Sequence, residues 1–255
     1  MGDSVPSVSI LGVKVHDVTM PEALDRVSDF IASRAPHLIV TLGTEMVMGA
    51  RRDRSLLNLV NGAALVIPDG GGLIWASRRF GTPLREKVAG IDFLQEICRL
   101  SGDRGWKLFF VGGKPGIAAA AAEKIRSRFP GAIIVGTHDG YTGVDEMLPA
   151  LQEAKPDVVF AGMGFPRQER WLLELMSAAP PIPVGVGVGG SFDVLAGKLQ
   201  RAPAWMIRLN LEWLFRFFQE PKRFRRIFNI PAFMLQTYLG MVTRKPQAGR
   251  HSKTI

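Results

Sequence analysis

The run Asp157-Val158-Val159-Phe160-Ala161, then Gly162-Met163-Gly164-Phe165, then Pro166-Arg167-Gln168-Glu169 and onward to Ser177, decides the fold. A short apolar strand, a glycine-rich turn and a helically spaced stretch make one β–α step of a parallel sheet. The same order recurs in both directions along the chain. His37 to Leu42, Ala64 to Ile67, Lys107 to Val111, Ala132 to Val135 and Val184 to Val188 read as strands. Glu45 to Val60, Gly72 to Phe80, Ile91 to Ser101, Gly116 to Phe129 and Val144 to Glu153 carry helical spacing or alanine-rich helix formers. That rhythm predicts an α/β, Rossmann-like, mostly parallel sheet with helices on both faces. Upstream, Val8 to Val15 reads as a hairpin or edge unit, and Thr19 with Glu22 forms a capping box with Pro21 in the first turn.

In such a sheet, ligands sit beyond the carboxyl ends of the strands. Those ends are rich in glycine and polar residues: Thr41-Leu42-Gly43-Thr44-Glu45, Pro68-Asp69-Gly70-Gly71-Gly72, Gly112-Gly113-Lys114-Pro115-Gly116, Gly136 to Tyr141, Gly162 to Glu169 and Gly189 to Asp193. Glycines let backbone N–H groups approach a phosphate, and a following helix adds its positive end. Six such turns along one edge point to a nucleotide or sugar site. Gly185, Gly187 and Gly190 spell a dinucleotide fingerprint, but it calls for an acidic residue closing a second strand about 20 residues on. Here Arg201 to Leu214 reads as a turn and a helix. Gly112-Gly113-Lys114-Pro115 lacks the Ser or Thr that a P-loop places after its lysine.

Metal and nucleophile motifs are missing from the sequence. His16, His37, His138 and His251 are scattered, and there is no Asp-x-Asp to hold a diphosphate through Mg²⁺. Neutralising a departing diphosphate would fall to Arg and Lys. Asp69 follows an apolar strand and stands between Pro68 and three glycines, where its pKa can rise toward that of a general base. The alternative is that Asp69 caps the helix starting at Gly72.

Composition bounds the rest. The chain has 255 residues, 47% of them hydrophobic and 22% charged, which suits a large packed core. Its single cysteine, Cys98, excludes a disulfide framework and points to a reducing compartment. The first 30 residues carry five carboxylates and no basic start before an apolar run, so no signal peptide is expected. Residues 198 to 255 hold twelve Lys/Arg against Glu212 and Glu220, a balance of +10 out of the chain's +9. The near-neutral body is therefore read as residues 1–197, an α/β catalytic domain, with 198–255 as a basic, aromatic-rich helical appendage.

Within the appendage, Trp205 to Phe218 reads as one apolar helix, followed by Pro221 and the cluster Lys222-Arg223-Phe224-Arg225-Arg226. The 17 uncharged residues between Arg226 and Arg244 are broken by Asn229, Pro231, Gln236, Thr237 and Gly240. Lying in a membrane interface is favoured over crossing it.

Together these segments resemble the WecG/TagA/CpsF family of glycosyltransferases over nearly the whole chain. The match adds Val88-Ala89-Gly90-Ile91-Asp92, Phe110-Val111-Gly112-Gly113, Arg201-Ala202-Pro203-Ala204-Trp205, Leu211-Glu212-Trp213-Leu214-Phe215-Arg216 and Glu220-Pro221-Lys222-Arg223 to the turns above. The resemblance implies inverting transfer of N-acetylmannosamine or a related hexose from a UDP-sugar to a sugar on undecaprenyl diphosphate. It implies no cofactor and no catalytic metal. It also implies a cytoplasmic enzyme, peripheral at the anionic inner face of the plasma membrane.

Asp69, as general base, and Thr41 are the catalytic residues so implied. Thr41 and Gln168 match pocket residues that orient donor or acceptor. Lys87, Gly112, Gly113, His138, Tyr141, Gly164, Glu169 and Asp193 complete the substrate-binding set with Arg216, Arg223 and Arg226 of the basic segment. Two departures bear on sugar specificity: Gly43 stands where the family usually has Asn, and Lys87 where it usually has Arg. Self-association is left open. Two rival readings are a nucleic-acid-binding module using the basic aromatic tail and a nicotinamide oxidoreductase using the glycine fingerprint. The first leaves the glycine-rich strand ends and Asp69 unexplained, so no nucleic-acid partner is expected.

Overall fold

A computed structural model of the protein describes residues 5–178, 182–219 and 229–243. Six parallel strands form the central sheet: β3 (His37–Leu42), β4 (Leu65–Pro68), β5 (Leu108–Gly112), β6 (Ile134–His138), β7 (Val158–Gly162) and β8 (Val184–Gly187), in the order β4-β3-β8-β7-β5-β6. The opening segment is an antiparallel hairpin, β1 (Ser7–Ile10) with β2 (Val13–His16). His16 ties it to the edge strand, because its Nδ1 accepts the Val66 N–H at 2.8 Å.

Strand side chains alternate between two cores, as the pleat requires. On one face Leu38, Val40, Leu42, Val66, Phe109, Val111, Val159 and Ala161 pack beneath α2 (Thr44–Arg52), α3 (Arg54–Gly62), α4 (Gly71–Arg79), α7 (Val144–Ala154) and α8 (Arg167–Ala178). On the other, Ile39, Leu65, Ile67, Leu108, Phe110, Val158, Phe160 and Val186 pack beneath α1 (Met20–Ser33), α5 (Gly90–Arg104), α6 (Ile117–Arg128) and α9 (Ser191–Leu195). The Thr19 capping box forms as the sequence predicts.

Three elements depart from the sequence-based reading. The helix expected over Glu45 to Val60 breaks at Asp53, whose carboxylate accepts the N–H groups of Ser55 and Leu56 and so starts a new helix. The β6 strand runs from Ile134 rather than Ala132, because pairing with β5 sets its register, and His138 ends the strand instead of standing in the loop. The single helix expected over Trp205 to Phe218 is two, α10 (Ala204–Arg208) and α11 (Glu212–Gln219). Asn210 parts them in a left-handed conformation, φ 59°, where its side chain lies against the Cα of Gly71.

The last described helix, α12 (Asn229–Thr243), docks through buried Phe233 and Thr237 onto the body near Gly72 and Phe80. Met234, Leu235, Tyr238 and Leu239 of the same helix are exposed. Among the described residues, no helix is long and apolar enough to cross a membrane.

Candidate active site

The β4 turn is stitched into place by backbone. Asp69 N–H donates to the Leu42 carbonyl at 2.9 Å, and Val88 N–H donates to the Pro68 carbonyl at 3.0 Å, which draws the segment before α5 alongside. Gly90, first residue of α5, then gives its N–H to the Asp69 carboxylate. A Cβ there would lie 3.2 Å from Asp69 Oδ2 and 3.1 Å from Thr41 Cγ2, so glycine permits the approach.

Asp69 keeps partial access to solvent, but the protein packed around it strips most of its water. That desolvation pushes its carboxyl above the usual range. The Arg216 cation opposes most strongly, then the Gly90 N–H and Lys87, while Glu212 reinforces the rise. Asp69 does not cap the helix beside it: Gly70 is the N-cap of α4, and no side chain bonds that end.

Charged side chains of the appendage meet this turn. Lys87 Nζ pairs with Glu212 Oε2 of α11 at 3.0 Å, both side chains about three-quarters covered. Arg216, one turn further along α11, is exposed. Arg201 holds Asp92, in the first turn of α5, through two bonds of 2.7 and 2.6 Å. Arg223 and Arg226 lie outside the described residues.

Thr41 links the turn to the sheet centre. Its hydroxyl donates to the Gly187 carbonyl of β8 at 2.7 Å, which leaves its lone pairs, not its proton, for other partners. Gln168 is buried in the first turn of α8, and its Oε1 accepts the N–H groups of Gly164 and Gly189, each at 3.0 Å. Glu169 is wholly buried, beneath the strand-end loops rather than on their surface. Burial pushes its carboxyl up to about 7.

The remaining predicted residues line the far half of the edge. Gly113 N–H donates to the Gly162 carbonyl and Gly140 N–H to the Gly113 carbonyl, each at 2.9 Å, so three turns lie backbone on backbone. A Cβ on Gly112, φ 153°, would sit 2.5 Å from the Gly162 carbonyl oxygen. His138 Nδ1 lies 3.1 Å from Thr142 Oγ1. The Tyr141 ring is exposed, with the Arg167 guanidinium 5.8 Å from its centroid. Asp193 is half-buried, and its carbonyl accepts the N–H groups of Lys198 and Leu199.

Most of the predicted residues therefore form two groups along one sheet edge, with Gln168, Glu169 and Asp193 in the helices after β7 and β8 between them. Thr41, Asp69, Lys87 and Arg216 gather at β3 and β4; Gly112, Gly113, His138, Tyr141 and Gly164 gather at β5, β6 and β7. Five strand spacings, about 24 Å, separate the outer strands. Glu212, Arg201 with Asp92, and Gly90 join the first group without having been assigned a role from sequence, although each stands in a segment that carried the resemblance. Among the described residues, no three His, Cys, Asp or Glu side chains are grouped as metal ligands would be.

Residues 8–247 match the model of the Glycosyl transferase WecG/TagA/CpsF family. An N-acetylglucosaminyldiphosphoundecaprenol N-acetyl-beta-D-mannosaminyltransferase of Bacillus subtilis (strain 168) is 35% identical over 208 residues, covering 81% of this chain and 80% of the relative. The protein of the same name from Staphylococcus aureus (strain MW2) is 33% identical over 231 residues, covering 89% of this chain and 90% of the relative.

Proposed function

The chain belongs to the WecG/TagA/CpsF family of glycosyl transferases, and from that premise we propose that it moves a hexose or N-acetylhexosamine from a UDP-sugar to a sugar on a polyprenyl diphosphate. The relatives' names support N-acetylmannosamine as the sugar moved and N-acetylglucosaminyl-diphosphoundecaprenol as the acceptor. The carrying observation is Asp69: a carboxyl whose proton affinity is raised by desolvation, held by the Gly90 N–H, with Lys87 and Arg216 within electrostatic reach.

In the proposed step, an acceptor hydroxyl oxygen bonds to the anomeric carbon from the face opposite the UDP. Its proton passes to Asp69 as the bond from that carbon to the β-phosphate oxygen breaks. UDP leaves with the electron pair, and the anomeric configuration inverts. A base with a raised pKa suits this transfer near neutral pH. Lys87 and Arg216 supply positive charge toward the departing diphosphate, with Arg223 and Arg226 assigned to the same task from the sequence match. Thr41 orients donor or acceptor; Gln168, buried with its amide spent on Gly164, Gly189 and Glu169, acts by ordering the loops around them, and the exposed Tyr141 ring and Asp193 suit the nucleoside end. The reaction needs no metal ion, so activity survives EDTA.

The proposed division of labour places residues 1–197 as the catalytic body and 198–255 as an appendage resting on an anionic leaflet. Exposed Trp205, Leu209, Phe218 and Leu235 support that placement. A panel of UDP-sugars with short-chain polyprenyl diphosphate-linked N-acetylglucosamine tests the reading. The expected product is one hexose or N-acetylhexosamine heavier, with stoichiometric UDP; no product with any donor or acceptor in the panel contradicts it.

A further inference from the structure

Glu169 is fully buried, yet its Oε2 has no hydrogen-bond partner among the described residues. Leaving a buried polar atom unpaired costs stability, so a compensating use is the question it poses. Its other oxygen, Oε1, accepts a bond of 2.8 Å from Gln168 Nε2. The direction of that bond is fixed from the opposite side. The N–H groups of Gly164 and Gly189 both point at one atom of the Gln168 amide, which must be its oxygen, and the NH₂ is thereby turned toward Glu169.

The two glycines belong to different loops, Gly164 after β7 and Gly189 after β8, and Gly164 has φ 80°. One amide thus clasps two adjacent loops at the ligand edge of the sheet. Space for the pair is made by Gly187, where a Cβ would lie 2.5 Å from Gln168 Nε2 and 2.8 Å from Glu169 Oε1. The carbonyl of the same Gly187 receives the Thr41 hydroxyl. The clasp therefore abuts the residue that anchors Thr41 beside the Asp69 turn.

We infer that Glu169 is a positioning residue: it holds the Gln168 amide in the one orientation that ties the β7 and β8 loops together, and so sets the shape of the cleft that receives the nucleotide-sugar. The inference rests on the function proposed above for what fills the cleft, but its structural half does not. An acceptor is what the position demands, and a neutral side chain serves as well as a charged one. Desolvation already keeps the carboxyl largely protonated below about pH 7, which agrees with that demand.

Glu169→Leu and Glu169→Gln in the full chain separate the outcomes. Amide hydrogen exchange at Gly164 and Gly189 should speed up about tenfold in Glu169→Leu, with β7 amides such as Phe160 unchanged, and stay at the wild-type rate in Glu169→Gln. Donor KM should rise about tenfold in Glu169→Leu, with kcat altered less than about threefold, and Glu169→Gln should restore it. In a Gln168→Ala background, Glu169→Leu should add nothing to KM, since its route is already cut.

Wild-type exchange at both glycines in Glu169→Leu, or uniform acceleration across the sheet, overturns the inference. So does a full additional KM effect on top of Gln168→Ala. Should Glu169→Leu not fold, Glu169→Gln decides alone: unchanged exchange is expected, and a tenfold rise overturns. If no UDP-sugar supports turnover, the exchange measurement still reads the clasp, so its failure and that of the proposed function are told apart.

Discussion

The strand-end turns and the appendage helices border the same site but are held by different means. The turns are fastened mainly by backbone, Asp69 to Leu42, Val88 to Pro68 and Gly113 to Gly162, with one buried side chain, Gln168, across two loops. Helices α10 to α12 are laid on the surface by side chains, among them the Lys87–Glu212 and Arg201–Asp92 pairs, Asn210 against Gly71, and Phe233 with Thr237. Of the ten exposed large apolar side chains among the described residues, eight lie on or between these three helices. In the proposed function the difference separates tasks: the turns fix geometry, whereas the appendage is assigned the cations near Asp69 and the apolar surface for a membrane.

Truncation after Leu199 is the strongest test of that separation. It should abolish transfer and release the protein from anionic vesicles, while the truncated body keeps a cooperative melt; vesicle binding by the body alone would break the comparison. Lys87→Ala removes one cation from the turn and leaves Glu212 unpaired beside Asp69. A fall of roughly ten- to a hundredfold in kcat/KM is expected, with Lys87→Arg near wild type; equal loss in both would show that the ammonium shape, not its charge, matters. Replacing Trp205 and Leu209 together by Ala should weaken vesicle partition roughly tenfold at unchanged thermal stability. Loss of stability instead would mean that these side chains pack on the body.

A separate test concerns pH and the body alone. His16 is desolvated, with Lys14 nearby, and its pKa falls from 6.5 to about 4. It stays neutral in the fold where the unfolded chain takes up a proton, so its contribution is whole above pH 6.5 and is lost as pH falls toward 4. Glu169 has the opposite sign: its fold-raised pKa costs stability increasingly from pH 4.5 to 7. Each amounts to roughly 3 kcal/mol at most, and over the shared window they oppose. Denaturant titrations should therefore show stability rising with pH more steeply in Glu169→Gln than in wild type, and falling with pH in His16→Gln; parallel curves would refute both assignments.

These elements also show what a sequence can disclose. The strand His37–Leu42, the Thr19 capping box and the parallel rhythm were legible because each is set by neighbours within a few residues. The break at Asp53 was not, since a cap inside an apolar periodicity competes with simple continuation of the helix. The break at Asn210 depends on docking against Gly71, far away in sequence. In the site, Asp69 and its turn stood out by composition. Its setting did not: Gly90 approaches through the Val88–Pro68 bond, and Glu212 reaches Lys87 across 125 positions. Glu169 was a substrate contact by resemblance alone; its burial, shared by Gln168 beside it, is set by packing against the sheet that no local pattern shows.

The proposed transfer turns on Asp69 taking the acceptor proton. Asp69→Asn keeps the shape and the capacity to accept the Gly90 N–H while removing the base. Turnover should fall about 10² to 10⁴-fold with donor affinity, read by UDP-sugar titration, unchanged within about threefold. Near-normal turnover in a folded Asp69→Asn protein would contradict the account.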